Sequence, residues 1–338
     1  MSNLFPLEEF SRFVVHELPH ANNNENHKQL EGAFSLVPDL KSFESFLRNS
    51  NYTEKVVAMG DLGIYLVSLK KNELSLDTTT LEENLLLASY YTGLAPRDTY
   101  SSYITYNPSN ALRTFTNHES EIGFINKHKS SDEALKDAVN KLFDLQQGEH
   151  QNVTVTLAKT IKAIEHLIIE NKDVHNHVSP PHFISFFRHY FFPLTIKGID
   201  YQAPSGVHIS NIILLDLIIG SADDNYLETT NSLLTYLEPF DKIKIMKASI
   251  KPSIKSRFLQ KDIPYNNEDV SMLIEIFRCI KIYRYVHQGL VTRYIRRQSP
   301  ETTNGTGGFP FDTFLKERVD MVKKVEDNVQ KHFSRLLV

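Results

Sequence analysis

The longest helical pattern in the chain spans about thirty residues, 268–297, and it limits the possible fold more than any other segment. Apolar side chains recur there in steps of three and four, the spacing of one face of an α-helix. Further helical patterns cover three other segments: 131–145, 153–169 and 312–337. The apolar run 209–219 suits a helix buried inside a bundle. The sequence therefore predicts a mainly α protein, with a large all-α helical-bundle domain over 119–338 and a smaller N-terminal region over 1–118.

Charge and cysteine content exclude several classes of function. The 338 residues include 37 Lys and Arg against 41 Asp and Glu, which leaves no basic footprint for nucleic acid or an anionic membrane. The lone Cys279 can form neither an intramolecular disulfide nor a thiolate zinc site. The first residues lack the basic start and apolar run of a secretory signal, and the longest apolar stretch falls far short of the ~20 residues that span a bilayer. We expect a soluble, cytoplasmic protein with no nucleic-acid or membrane partner.

His287 lies on the buried face of the long helical pattern, because steps of three and four residues connect it to Ile280 and Arg284. An imidazole on such a face is often a hydrogen-bonded core residue. It is also a suitable ligand for an iron centre, whose access a rigid helix and apolar walls would control. Arg284, one turn earlier, could neutralise an anionic group against the same face.

A glycine-rich segment, Asn304-Gly305-Thr306-Gly307-Gly308-Phe309, separates the last two helical patterns. Its glycines permit positive φ and a close approach of the backbone to a ligand, and they would serve equally well as a flexible connector. The segment is not a phosphate loop, because no Lys-Ser/Thr follows and no strand precedes it.

The segment 174–188 combines histidines with aromatic residues and an arginine. His175 and His177 suggest a metal site, but no third ligand with suitable spacing stands nearby. Arg188 follows Phe183 and Ile184 by one to two turns, so a guanidinium and two apolar side chains could share a helix face. That combination suits a ligand with a carboxylate and an aromatic body, although Arg188 could equally lie on a solvated face.

Together these segments are more specific than any one of them. The run His287-x-x-Leu290-Val291-Thr292-Arg293-Tyr294-Ile295, then Gly305-Thr306-Gly307-Gly308 and Phe314-Leu315-Lys316, resembles the C-terminal signature of the indoleamine 2,3-dioxygenase family. Upstream, the resemblance continues in His177-Val178-Ser179-Pro180 with Phe183, Ser185, Arg188 and Tyr190, in Ser205-Gly206 and in Asp216-x-x-x-Gly220. It covers roughly residues 120 to 330.

The resemblance implies a role for each of these positions. His287 would be the proximal ligand of haem b, and Arg284 would meet a haem propionate. Two further sets would line the site: Val291, Ser205 and Gly206 on the cofactor side, and Phe183, Ile184, Arg188, Thr306, Gly307 and Phe309 on the substrate side.

Three departures from the family pattern lie around the substrate. Phe309 replaces a Thr at the end of the glycine loop, Ile184 replaces a second Phe, and Pro204 interrupts the glycines before Ser205. They favour a divergent branch of the indoleamine and tryptophan dioxygenase superfamily, similar to the monodechloroaminopyrrolnitrin synthase group.

His128 is the candidate catalytic residue of this comparison. Aligning Gly123-Phe124 with the family places His128 at the distal position, where indoleamine dioxygenases carry Ser and tryptophan dioxygenases carry His. A distal imidazole could accept the indole N–H or hydrogen-bond the oxygen substrate. The alternative is a solvated turn over 127–130, before a helix that Ser131 caps.

The function implied is a haem-dependent dioxygenase-type enzyme of tryptophan-like metabolism. Ferrous haem on His287 would activate dioxygen, the co-substrate, for attack on an indole or aromatic amino-acid-like substrate. The competing hypothesis is a non-catalytic haem sensor or carrier of the same fold. A homo-oligomer is compatible with either.

Overall fold

The computed structural model describes residues 3–149 and 152–334, and in these residues the fold is mainly α-helical. The helices are α1 (Glu9–His16), α2 (Leu18–Asn23), α3 (His27–Gly32), α4 (Leu40–Asn49), α5 (Tyr52–Lys71), α6 (Thr79–Thr92), α7 (Glu119–Gln147), α8 (Val153–His177), α9 (Pro180–Ser185), α10 (Ser210–Ile219), α11 (Asp224–Leu233), α12 (Pro239–Ile250), α13 (Ile254–Gln260), α14 (Asn267–Val291) and α15 (Phe311–Ser334). Strands β1 (Leu194–Ile196) and β2 (Ile199–Tyr201) form an antiparallel hairpin. The predicted fold class is confirmed.

The N-terminal part is built around α5, whose residues 56–69 are all buried. A capping box between Asn51 and Glu54 begins this helix. Asp61, in its middle, receives hydrogen bonds from Arg113 at 2.7 Å and from Ser11 at 2.6 Å, so the buried carboxylate is paired. The hydrophobic cluster around α5 also takes in residues from beyond 118. The division into domains at 118/119 stays a prediction.

The second large hydrophobic cluster joins α7, α8 and α10 with α14 and α15. α14 lies at its centre and packs against α8 and α15. The predicted helix over 268–297 is observed as α14 followed by a π-helical turn, Thr292–Arg296. α10 is buried over Ile212–Ile219, as its apolar sequence predicts.

The expected start of α7 at Ser131 is wrong. The helix begins at Glu119, where the side chain of His118 accepts a hydrogen bond from the backbone N–H of Ser120 at 3.1 Å. The polar residues 127–130 therefore lie inside a helix rather than in a turn. Lys127 explains why a polar stretch is helical here, because its ammonium group pairs with Glu170 on the neighbouring α8 at 3.1 Å.

No helix in the described residues is both long enough and apolar enough to cross a bilayer.

Candidate functional site

A partly open cavity of about 270 Å³ lies between α7, α8, α11, α14 and α15. All but one of the residues predicted for the site line it: His128, Phe183, Arg188, Ser205, Gly206, Arg284, His287, Val291, Thr306, Gly307 and Phe309. The exception is Ile184, which is not part of the cavity wall. It follows Phe183 on α9, and successive helical residues project about 100° apart, so the two side chains face different ways.

His287 projects from α14 into this cavity. Its side chain has no hydrogen-bond partner within 3–149 and 152–334. The residue is half-buried, so part of the imidazole is accessible from the cavity. Desolvation, and then the charge of Arg284, lowers its pKa to about 4. At neutral pH the imidazole is therefore uncharged and has a free lone pair, the form that binds a metal.

Arg284 is held one helical turn from His287 by a buried carboxylate. Its guanidinium forms an ion pair with Asp216 on α10, and Ser221 donates a hydrogen bond to the other Asp216 oxygen at 2.7 Å. Desolvation alone would lower the pKa of Arg284, but Asp216 and neighbouring tyrosines raise it overall. The Nε–H of Arg284 is buried and has no partner in the described part of the chain. One strong donor at the cavity wall is thus left unused.

Arg318 is a cavity residue that the sequence analysis missed. It lies on α15 and is only 4% exposed, with its guanidinium over the rings of Tyr226 at 4.4 Å and Phe314 at 4.5 Å. It follows Phe314 by one helical turn, and Phe314 belongs to the recognised signature, so the spacing could have revealed it. Desolvation lowers the pKa of Arg318.

His128 lies in the middle of α7, on another wall of the cavity. Its Nδ1 is 2.8 Å from the carbonyl oxygen of Phe124. Because a carbonyl can only accept, Nδ1 carries the proton, and Nε2 of the neutral ring is an acceptor. Desolvation lowers the pKa of His128, which favours this neutral form.

Gly123 brings α7 close enough to α8 to set this position. A Cβ at Gly123 would lie 2.5 Å from the carbonyl oxygen of His177, so only glycine allows the approach. Phe124 follows directly, and His128 lies one turn later on the same helix.

An aromatic group surrounds Phe183 on α9. The Phe183 ring packs against Phe187 at 5.1 Å and against Tyr294 at 5.7 Å, both edge to face. Arg188 follows in a 3₁₀ turn and donates a hydrogen bond to the carbonyl of Asn304 at 2.9 Å. This bond joins the aromatic group to the start of the glycine loop. Desolvation lowers the pKa of Arg188.

The glycine loop closes on itself and then packs against the segment 205–207. The Gly305 N–H donates to the Phe309 carbonyl at 2.9 Å. A Cβ at Gly307 would lie 2.7 Å from Val207 Cγ2 and 3.0 Å from Ser205 Oγ, so a larger residue has no room. Of the two interpretations of this segment, the geometry favours close backbone approach over a free connector.

His175 and His177 do not gather metal ligands. His177 Nε2 lies 2.9 Å from the carboxylate of Asp173, at the end of α8. Within the described ranges, no group of three or more His, Cys, Asp or Glu side chains could hold a metal ion.

The model of the family described as monodechloroaminopyrrolnitrin synthase PrnB matches residues 42–306. That span includes α5 to α14 and the first residues of the glycine loop, and it ends before α15.

Proposed function

The chain belongs to the monodechloroaminopyrrolnitrin synthase PrnB family, within the haem-dependent superfamily of the indoleamine and tryptophan dioxygenases, and from that premise we propose its function. It is a haem-dependent oxygenase that acts on an indole-like substrate, with His287 as the axial ligand of the iron. The observation that carries the proposal is the uncharged imidazole of His287, which lines a mainly apolar cavity and has no hydrogen-bond partner among residues 3–149 and 152–334.

The residues present fit a haem. A haem site needs an axial donor, cations for the propionates and apolar walls around the macrocycle. His287 is the donor, and the unused Nε–H of Arg284 is a buried group that a carboxylate would satisfy. Val291, Ser205 and Gly206 line the same cavity and would pack on the macrocycle. When bound, the haem iron supplies the activation of dioxygen, which the side chains of this protein cannot provide.

The protein's own groups would bind and orient the substrate. Phe183 offers an aromatic face at the cavity wall, and Arg188 a guanidinium fork for a carboxylate. Nε2 of His128 would accept the hydrogen bond of an indole N–H. Thr306, Gly307 and Phe309 would close the site from the glycine loop.

The test is an optical titration of the apoprotein with haem, followed by titration with indoles and aromatic amino acids. We expect stoichiometric haem binding with a histidine-ligated spectrum, which His287→Ala abolishes. His175→Ala, an exposed histidine on α8, is the matched control and should bind haem as the wild type does. An unchanged spectrum in His287→Ala would overturn the assignment of the ligand.

Oxygen consumption separates the enzyme from a carrier or sensor. We expect an indole-like substrate to change the haem spectrum and to stimulate oxygen uptake by the reduced protein. Stoichiometric haem with no substrate-dependent uptake across the panel would favour the non-catalytic hypothesis.

A further inference from the structure

The cavity wall beside His287 contains more positive than negative charge. Two guanidinium groups, Arg284 and Arg318, lie near one carboxylate, Asp216, and we call these three residues with Tyr226 the arginine cluster. Asp216 is committed to Arg284 and Ser221. Arg318 has no hydrogen bond and no carboxylate within ion-pair distance in 3–149 and 152–334.

The other groups that face the cluster do not neutralise Arg318. Asp223 influences it only from a distance, because its side chain caps α11 by accepting the Tyr226 N–H at 2.9 Å. His287 is an imidazole, which is neutral or positively charged and so cannot supply a negative charge. Arg318, a residue that is only 4% exposed, therefore has no counter-charge in contact with it among the described residues. An unpaired buried charge is costly, and a ligand that carries the opposite charge would remove that cost.

The position of Arg318 limits what that partner is. Aromatic rings at 4.4 and 4.5 Å cover the guanidinium, so the N–H edge is what remains for hydrogen bonds. Two parallel N–H bonds from such an edge match a carboxylate. A carboxylate inside the cavity that Arg318 and His287 both line would suit this edge.

We propose that Arg318 binds a propionate of the haem, alongside the unused Nε–H of Arg284. The proposal rests on the proposed haem function and adds a second cation to it, from a helix beyond the matched span 42–306. The arginine cluster is assigned to the cofactor rather than the substrate because Arg284 is one turn from His287. Arg188, hydrogen-bonded to Asn304 at the glycine loop, remains for the substrate carboxylate.

The experiment compares haem with its dimethyl ester, in which both carboxylates are blocked. Binding to the apoprotein is followed optically, and haem loss is followed by transfer to excess apomyoglobin. Arg318→Met should weaken haem binding by about tenfold to a hundredfold, the effect of losing a charge-assisted pair, and leave the diester unaffected. Arg318→Lys keeps the charge but loses the two parallel N–H donors, so its haem affinity should lie between those of the wild type and Arg318→Met. The control is Arg278→Met on α14, whose side chain is 62% exposed and which should behave as the wild type.

A second measurement distinguishes a binding role from a structural one. Arg318→Met should raise the Tm of the apoprotein, because it removes an unpaired buried charge, and should reduce the rise in Tm that haem produces. A purely structural arginine would instead lower the apoprotein Tm. If the Met variant does not fold, Arg318→Lys with haem and diester decides the matter alone.

Each outcome assigns the failure. If Arg318→Met binds haem with the affinity of the wild type, and the ratio of haem affinity to diester affinity is unchanged, this inference is wrong. The proposed function then stands. If Arg318→Met keeps its haem affinity but binds an indole carboxylic acid more weakly, Arg318 belongs to the substrate site. That result also contradicts this inference. A wild-type protein that binds no haem overturns both.

Discussion

At the scale of single residues, His128 illustrates how one hydrogen bond determines what a side chain can do. Its Nδ1–H is held by the Phe124 carbonyl, so Nε2 can only accept from a ligand. Two interpretations of His128 were open, a distal residue or part of a solvated turn, and the start of α7 at Glu119 excludes the turn. The local sequence pattern could not predict where α7 starts. The polar residues 127–130 are as typical of a turn as of a helix, and only their partners on α8 distinguish the two.

His128→Ala should weaken binding of indole substrates by roughly twofold to tenfold, the contribution of one neutral hydrogen bond. The same change should leave N-methylindole analogues unaffected, because they have no N–H to donate. Optical titration of the haem-loaded variant with the two ligand series measures the difference. Equal losses for both series would mean that His128 acts by packing alone.

The pH dependence of that preference follows from the lowered pKa of His128. Burial favours the neutral ring, so the acceptor persists from pH 8 down through 6.5, where an ordinary histidine is half protonated. We expect the ratio of indole to N-methylindole affinity to be constant over this range and to fall only at lower pH. A decline centred near pH 6.5 would contradict the burial seen here.

Arg188→Lys tests the proposed fork at the substrate end. The lysine keeps the charge but loses two parallel hydrogen bonds, so an indole carboxylic acid should bind about tenfold more weakly, and Arg188→Ala should be worse. Indole itself, which has no carboxylate, is the control ligand. Unchanged binding of the acid in both variants would remove Arg188 from the substrate site.

At the scale of elements, the glycine loop positions its wall of the cavity through contact rather than flexibility. Gly307→Ala places a Cβ 2.7 Å from Val207 Cγ2 and should displace the loop from the segment 205–207. We expect weaker substrate and haem binding with the helical content unchanged. Gly305→Ala is the matched control, since its Cβ would meet only the Phe309 carbonyl oxygen, at 3.7 Å. Circular dichroism and optical titration of both variants check the prediction.

The elements show where sequence patterns suffice. The face of α14 was predicted because its apolar spacing is regular over the whole helix, and α10 because almost every residue is apolar. Arg318 was missed because the sequence pattern of an amphipathic helix predicts that its charged residues face the solvent. The spacing relates Arg318 to Phe314 on the same helix, but the contact with Tyr226 on α11 that helps to bury it appears only in the structure.

At the scale of the whole molecule, stability should depend on a histidine outside the cavity. His208 is 3% exposed, stacks on Tyr236 at 4.4 Å, and has no partner for either ring nitrogen in the described residues. Desolvation, aided by Arg97, lowers its pKa to about 3. Below pH 6.5, His208 is therefore protonated in the unfolded chain but stays neutral in the folded chain. The free energy of unfolding decreases as the pH falls through this range.

His208→Phe retains a stacked ring and removes this titration. When the pH falls from 6.5 to 5, the variant should lose about 2 kcal/mol less free energy of unfolding than the wild type. The figure follows from about 1.36 kcal/mol per pKa unit. Urea unfolding of the apoproteins at the two pH values measures it. His175→Phe, at an exposed position, should show no such gain. A parallel pH dependence in His208→Phe and the wild type would rule out His208 as the cause.

The cavity takes its walls from helices that are far apart in order of synthesis. α7 contributes Phe124 and His128, whereas Phe314 and Arg318 come from α15, the last helix described. When α14 has emerged from the ribosome, His287 and Arg284 are exposed before α15 has emerged to pack against that side of the cavity. Chains emerge at about 5–20 residues per second, so this open state lasts on the order of seconds. A ligand that is held by walls from both α7 and α15 should therefore be retained only after α15 has been synthesised and has packed.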